Sequence, residues 1–121
     1  MATILIIDDE ESIRHLLREV LEKAGHQVLE ASNGREGLET YQKQPADLVI
    51  MDLLMPDTDG LETTLQLTRE YVDAKVIAIT GAQGDRNFLD VANLFGARRT
   101  FQKPFDLNKL LQAVREELAA K

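Results

Sequence analysis

Short apolar runs alternate along the chain with longer segments in which apolar residues recur at helical spacing. Five of the runs predict strands, and three of these are nearly continuous in Val, Ile and Leu, which is typical of strands covered on both faces. The predicted strands are TILII (3–7), QVLEA (27–31), DLVIM (47–51), KVIAI (75–79) and RTFQ (99–102). The pattern therefore predicts a largely buried sheet.

The segments between these runs, and the one after the last, predict five amphipathic helices. Turn and capping residues mark their boundaries. These residues are Gly25 at the end of the first helix, Asn33 and Gly34 at the start of the second, Asp59 near the start of the third, Gly84, Asp85 and Gly96 around the fourth, and Asp106 as the N-cap of the fifth. Regular alternation of strand and helix predicts an α/β domain with a parallel sheet and right-handed crossovers.

Composition narrows the classes of protein to which this chain can belong. Its 121 residues, 44% hydrophobic and 29% charged, predict a single domain spanning residues 1–121 with no effector domain attached. The net charge of −7 disfavours direct binding to nucleic acid, and the absence of cysteine excludes disulfides and thiolate chemistry. No apolar run is long enough for membrane insertion, and the acidic start MATILIIDDE is unlike a signal peptide, so we expect a cytoplasmic protein.

Polar residues follow the predicted strands at their carboxyl ends. The run Leu48–Met51 stops at Asp52, Asp8 and Asp9 follow the first strand, and Thr80 and Lys103 end the fourth and fifth. In open α/β sheets functional sites gather at this edge. Converging carboxylates repel one another, and Mg²⁺ relieves that repulsion through oxygen ligands alone. An ionised aspartate, a hard cation and an ammonium group are what phosphoryl transfer to a carboxylate requires.

Five motifs, each at a strand end or helix start, occur in a specific order and spacing. They are IDDEES, SNGREGL, DLVIMDLLMPDTDG, AITG and GARRTFQKPF. With these motifs the chain resembles, over essentially its full length, the receiver domain of a two-component response regulator. The resemblance implies a flavodoxin-like fold with five parallel strands in the order 2-1-3-4-5 and helices on both faces.

The resemblance also implies a function and a ligand set. Asp52 would accept a phosphoryl group from a phosphohistidine on a sensor histidine kinase or a histidine phosphotransfer protein. Asp8, Asp9, Asp52 and the main-chain carbonyl of Leu54 would hold Mg²⁺, with Mn²⁺ as a substitute. Lys103 would contact the phosphoryl oxygens.

A conformational switch is the third implication of the resemblance. Thr80 would swing to hydrogen-bond the phosphoryl group, which would reshape a protein-binding face made by helix 4, strand 5 and helix 5 for a downstream target. The bond between Lys103 and Pro104 would be cis. One position departs from the family pattern, because Thr100 stands where an aromatic switch residue is common. Phe101 next to it should point to the opposite face, since side chains alternate in a strand.

Two other functions compete with the phosphoacceptor switch, which would act as a phosphorelay intermediate or a diffusible regulator. A receiver-like adaptor whose binding does not depend on phosphate is favoured only by Thr100. A Mg²⁺-dependent phosphohydrolase would need a second nucleophile or a general base, and neither is visible in the sequence. We therefore expect a signalling domain that catalyses only its own phosphorylation and dephosphorylation.

Overall fold

The computed structural model describes residues 2–55, 58–81, 92–93 and 95–120. Five strands form the main sheet, and we number them in chain order: β1 (Thr3–Ile7), β2 (Gln27–Ala31), β3 (Leu48–Asp52), β4 (Val76–Thr80) and β5 (Arg99–Gln102). The described helices are α1 (Glu11–Lys23), α2 (Gly34–Lys43), α3 (Gly60–Glu70) and a C-terminal helix (Leu107–Ala119). A two-residue hairpin, Leu54–Met55 paired with Thr58–Asp59, connects β3 to α3.

The strands of the main sheet are all parallel, in the order β2-β1-β3-β4-β5. This is the predicted order, and helices cover both faces of the sheet, so the flavodoxin-like prediction is confirmed. Three predicted strand ranges are reproduced, and β3 and β4 each lie one residue further along the chain than predicted. The fourth predicted helix, with Gly84 and Asp85, falls mostly outside the described residues, of which Ala92 and Asn93 are helical. The described part of the chain thus holds four helices where the sequence predicted five.

The sheet separates two apolar cores, because neighbouring strand residues point to opposite faces. One core lies under α2 and α3, and its strand residues are Leu5, Ile7, Ala31, Val49, Met51, Val76 and Ala78. The other lies under α1 and the C-terminal helix, and its strand residues are Ile4, Ile6, Val28, Leu48, Ile50, Ile77 and Ile79. Each of the three central strands contributes to both cores, which is why their sequences are continuously apolar.

Caps fix the helix boundaries that the sequence predicted. Asn33 accepts a hydrogen bond from the N–H of Glu36 at the start of α2, and Asp106 accepts from the N–H groups of Asn108 and Lys109. Gly25 follows α1 with φ of 94°, a left-handed conformation that favours glycine. None of the described helices is long and apolar enough to cross a membrane.

Candidate functional site

Alternation along three strands brings three charged side chains to one face at the carboxyl edge of the sheet. These residues are Asp8, Asp52 and Lys103, which end or directly follow β1, β3 and β5. Two positions before each of them lies an apolar residue of the core under α1 and the C-terminal helix, namely Ile6, Ile50 and Phe101. The same period that buries the apolar residues therefore aligns the charged ones.

The Lys103 ammonium lies among three carboxylates. Its Nζ is 2.8 Å from Oε1 of Glu10, 3.2 Å from Oδ2 of Asp8 and 3.5 Å from Oδ2 of Asp52. The side chains of Asp8 and Asp52 are only 3% and 2% exposed, so the ammonium neutralises charges that water barely reaches. This arrangement offsets part of the cost of placing two carboxylates at the end of buried strands, where unpaired charges would be costly.

Burial and ion pairing shift the pKa values of two of these groups, Asp8 and Lys103. Burial raises the pKa of the Asp8 carboxyl, and this effect outweighs the opposing hydrogen bond from the N–H of Glu10 and the charge of Lys103. Burial lowers the pKa of the Lys103 ammonium, but the hydrogen bond to Glu10 and the charges of Asp8 and Asp52 together raise it above its ordinary value. Lys103 therefore stays a cation at neutral pH, while ionised Asp8 carries a desolvation cost.

Carboxylate oxygens of Asp8, Glu10 and Asp52 lie within 4.8 Å of one another. Such a set of hard oxygen donors fits a divalent cation of the Mg²⁺ type, which needs only one or two carboxylates and retains several waters. Asp9 is exposed and lies outside this cluster. Its predicted role as a metal ligand stays a prediction, as does that of the Leu54 carbonyl.

Glu10 is the residue that the sequence reasoning missed. Its backbone is extended, with φ of −85° and ψ of 112°, and its N–H donates to Oδ1 of Asp8 at 2.8 Å. An extended backbone returns every second side chain to the same side. The period of two, continued beyond Asp8, would therefore have predicted Glu10 rather than Asp9 on the same side as Asp8.

Thr80 and Thr100 lie in register with strand residues of the core under α2 and α3, not with Asp8, Asp52 and Lys103. Thr80 ends β4, is fully buried, and follows the α2–α3 core residue Ala78 by two positions. Thr100 is the parallel-strand partner of Ala78. Phe101 packs in the other core, beside α1 and the C-terminal helix, so it points away from Thr100 as predicted.

Two local features shape the backbone around the charged residues. The peptide bond between Lys103 and Pro104 is cis. Gly60, at the start of α3, lies so close to β3 that a Cβ there would overlap the backbone of Asp52 and Leu53. Gly81 is exposed, and among the described residues a Cβ there would meet only Cδ of Lys103, at 3.9 Å. The end of β3 is therefore tightly enclosed by the backbone at the start of α3.

An open groove of about 500 Å³ runs from the charged site along α1. Apolar side chains line it beside Glu10 and Lys103, namely Ile13, Leu16, Pro104, Phe105 and Leu107. Leu16 is 41% exposed, which is high for a leucine in a small domain. A cavity of about 570 Å³ near Tyr41 and Lys75 includes none of the carboxylates of the charged site.

Comparison with known proteins identifies the family of the chain that carries this site. Residues 4–115 match the response regulator receiver domain. The chain belongs to this family. Receiver domains of two-component response regulators are signalling domains rather than classical enzymes, and an acidic cluster at the carboxyl edge of the sheet is consistent with phosphorylation and Mg²⁺ binding.

Three relatives illustrate the similarity. Sporulation initiation phosphotransferase F of Bacillus subtilis is 36% identical over 118 residues, covering 98% of this chain and 94% of that protein. Protein PilH of Pseudomonas aeruginosa is 37% identical over 120 residues, covering 98% and 99%. The solved structure of response regulator TrrA from Thermotoga maritima, in complex with Mg²⁺ and BeF, is 34% identical with a TM-score of 0.86, covering 97% and 99%.

Proposed function

We propose that this receiver domain accepts a phosphoryl group on Asp52 from a phosphohistidine and passes the signal on through a protein-binding face. One observation carries the proposal: the Asp52 carboxylate is almost fully buried at a strand end, within 3.5 Å of the Lys103 ammonium. A structural aspartate gains little from such a position, whereas a nucleophile needs a nearby cation to hold the phosphoryl oxygens. In this proposal residues 1–121 act as one receiver domain in the cytoplasm.

The transfer step requires little of the protein beyond position and charge. An oxygen of the Asp52 carboxylate attacks phosphorus, the P–N bond to the donor imidazole breaks, and its electron pair stays on the imidazole nitrogen. Lys103 then contacts the phosphoryl oxygens from its place beside Asp52. Thr80 at the end of β4 offers a hydroxyl to the same oxygens, and its movement is the first step of the switch.

Asp8 and Asp52 are the carboxylates we expect to hold Mg²⁺, together with Asp9 and the Leu54 carbonyl as the resemblance implies. When bound, Mg²⁺ supplies positive charge that offsets the growing negative charge on the phosphoryl oxygens, and Mn²⁺ would serve as a substitute. The complex of the related TrrA protein with Mg²⁺ and BeF supports this assignment.

The apolar groove along α1 supports docking of a protein donor. Its open end meets Lys103, and its walls carry apolar side chains such as the half-exposed Leu16. We propose that a helix of a histidine kinase or a histidine phosphotransfer protein covers this groove and presents its phosphohistidine to Asp52. The output face would include β5 and the C-terminal helix, together with the fourth predicted helix.

The decisive experiment is the intact mass of the purified protein after incubation with Mg²⁺ and acetyl phosphate. We expect one phosphoryl adduct that requires Mg²⁺ and disappears in Asp52→Asn. Asp47→Asn is the matched control, because Asp47 lies at the opposite edge of the sheet, where its carboxylate accepts from the N–H of Thr3. A folded protein that never forms the adduct would instead support the phosphate-independent adaptor, and Thr100 would become its most informative position.

A further inference from the structure

Of the acidic residues that the structure describes, Glu10 is the closest partner of the Lys103 ammonium. Their hydrogen bond, at 2.8 Å, is shorter than the distances from the same nitrogen to Asp8 and Asp52, which are 3.2 and 3.5 Å. The proposed phosphoacceptor is thus the most distant of the three carboxylates. The ammonium that phosphoryl transfer needs is held by a residue with no place in the predicted ligand set.

Glu10 lies at the mouth of the site rather than inside it. Its side chain is 53% exposed, whereas those of Asp8 and Asp52 are almost fully buried. It lines the groove along α1 together with Lys103, so a phosphodonor entering from the groove passes its carboxylate. A phosphoryl group carries negative charge, and Glu10 therefore both repels it and competes with it for the ammonium.

The position of Glu10 is fixed by its own backbone. Its N–H donates to Oδ1 of Asp8 at 2.8 Å, and α1 begins at the next residue. Arg14, one turn into α1, donates to the carbonyl of Asp8 at 2.6 Å and to Oε1 of Glu30 at 3.1 Å. These bonds join Asp8, at the end of β1, to the first turn of α1. The segment that carries Glu10 is therefore anchored at both ends, which keeps Glu10 beside Lys103.

We infer that Glu10 is a positioning residue that draws Lys103 toward the mouth of the site and so restrains phosphorylation of Asp52 by small anionic donors. This inference rests on the proposed function of Asp52. Among the described residues, three carboxylates and one ammonium give the site an excess of negative charge before any metal binds. Glu10 adds one of those charges, which strengthens the attraction for a divalent cation while opposing the donor.

The test is Glu10→Gln, which keeps the size of the side chain and removes its charge. At saturating Mg²⁺ we expect phosphorylation by acetyl phosphate, followed by intact mass over time, to be about twofold to fivefold faster, as fits the loss of a half-exposed ion pair. We also expect weaker Mg²⁺ binding by calorimetry. Glu11→Gln is the matched control, because it removes an exposed charge from the first turn of α1, one residue further along the chain.

Faster phosphorylation together with weaker Mg²⁺ binding is the combination expected when the charge of Glu10 is removed from beside Lys103. A slower or unchanged rate in Glu10→Gln at saturating Mg²⁺ would overturn the inference, as would an equal acceleration in Glu11→Gln. Phosphorylation of the natural chain in the same series keeps the proposed function separate. If the natural chain forms the adduct and Glu10→Gln is no faster, only the inference fails; if the natural chain forms none, both fail.

Discussion

At the scale of single residues, Asp52 is positioned by backbone packing as much as by charge. Gly60 starts α3 directly against the backbone of Asp52 and Leu53, and its N–H donates to the carbonyl of Leu53 at 3.2 Å. The rigid backbone on both sides leaves no space for a side chain. The short connection from β3 to α3 therefore fixes where the end of β3, and with it the Asp52 carboxylate, can lie.

Gly60→Ala should consequently damage both stability and phosphorylation. Its methyl group would overlap backbone atoms that cannot move separately, and overpacking of this kind costs about 1–3 kcal/mol. Gly81→Ala is the matched change at the same edge, where the nearest atom of the described residues is Cδ of Lys103 at 3.9 Å, and we expect a change within about 0.5 kcal/mol. Urea unfolding together with adduct formation measures both effects, and equal losses in the two variants would contradict this account.

At the scale of elements, buried and exposed ion pairs join β5 to the C-terminal helix. Glu117, only 9% exposed, accepts from Nη1 of Arg98 at 3.2 Å and from Nε of Arg99 at 3.0 Å. Its neighbour Glu116 is 46% exposed; it pairs with Arg99 at 3.0 Å and accepts a hydrogen bond from Nε2 of Gln112 at 3.2 Å. Lys75 adds a bond from the start of β4 to the carbonyl of Glu117, at 2.6 Å. These contacts fix two of the elements that we assign to the output face.

Glu117→Gln should destabilise the fold far more than Glu116→Gln. Weakening a hydrogen bond of a buried carboxylate that has two charged donors lowers the free energy of unfolding by about 1–3 kcal/mol. An exposed ion pair contributes at most about 1 kcal/mol. Urea unfolding at low and high salt separates the two cases, since salt screens the exposed pair more strongly. A loss in Glu116→Gln as large as that in Glu117→Gln would mean that burial does not govern this junction.

At the scale of the whole molecule, most of the architecture follows from apolar patterning. Three strands have the predicted bounds, and the caps at Asn33 and Asp106 form as expected, because both depend on local sequence. The same period of two that buries Ile6 and Ile50 also aligns Asp8 with Asp52. The set of residues at the edge of the sheet was thus predictable in outline.

What the sequence did not reveal depends on geometry just beyond the strands. Strand ends at β3 and β4 shifted by one residue, since an apolar run does not show whether the polar residue after it still pairs. Asp9 and Glu10 look equivalent in a run of acids, and only the extended backbone of Glu10 separates them. The pair between Glu10 and Lys103 spans 93 positions in the chain, so it required the folded sheet.

The clustered carboxylates should lower the stability of the metal-free fold while they favour binding of a divalent cation. The variant Asp8→Asn tests this. Burial raises the pKa of Asp8, so its ionised form costs free energy in the folded state, and that cost is present above the folded pKa. Without metal at neutral pH, Asp8→Asn should be more stable by roughly 0.5–2 kcal/mol. As pH falls through the folded pKa toward 3.8, the natural chain recovers this energy and the difference should shrink.

Magnesium should reverse the order of the two proteins. A ligand that binds only the folded state adds RT ln(1 + [L]/Kd), which is about 2.7 kcal/mol at a hundredfold excess over Kd. If Asp8→Asn gains about 1 kcal/mol without metal and no longer binds Mg²⁺, the stability curves cross near four times the Kd of the natural chain. Asp47→Asn, at the opposite edge of the sheet, should follow the natural chain throughout the titration. Curves that never cross, with the natural chain less stable at every Mg²⁺ concentration, would show that Asp8 does not contribute to metal binding.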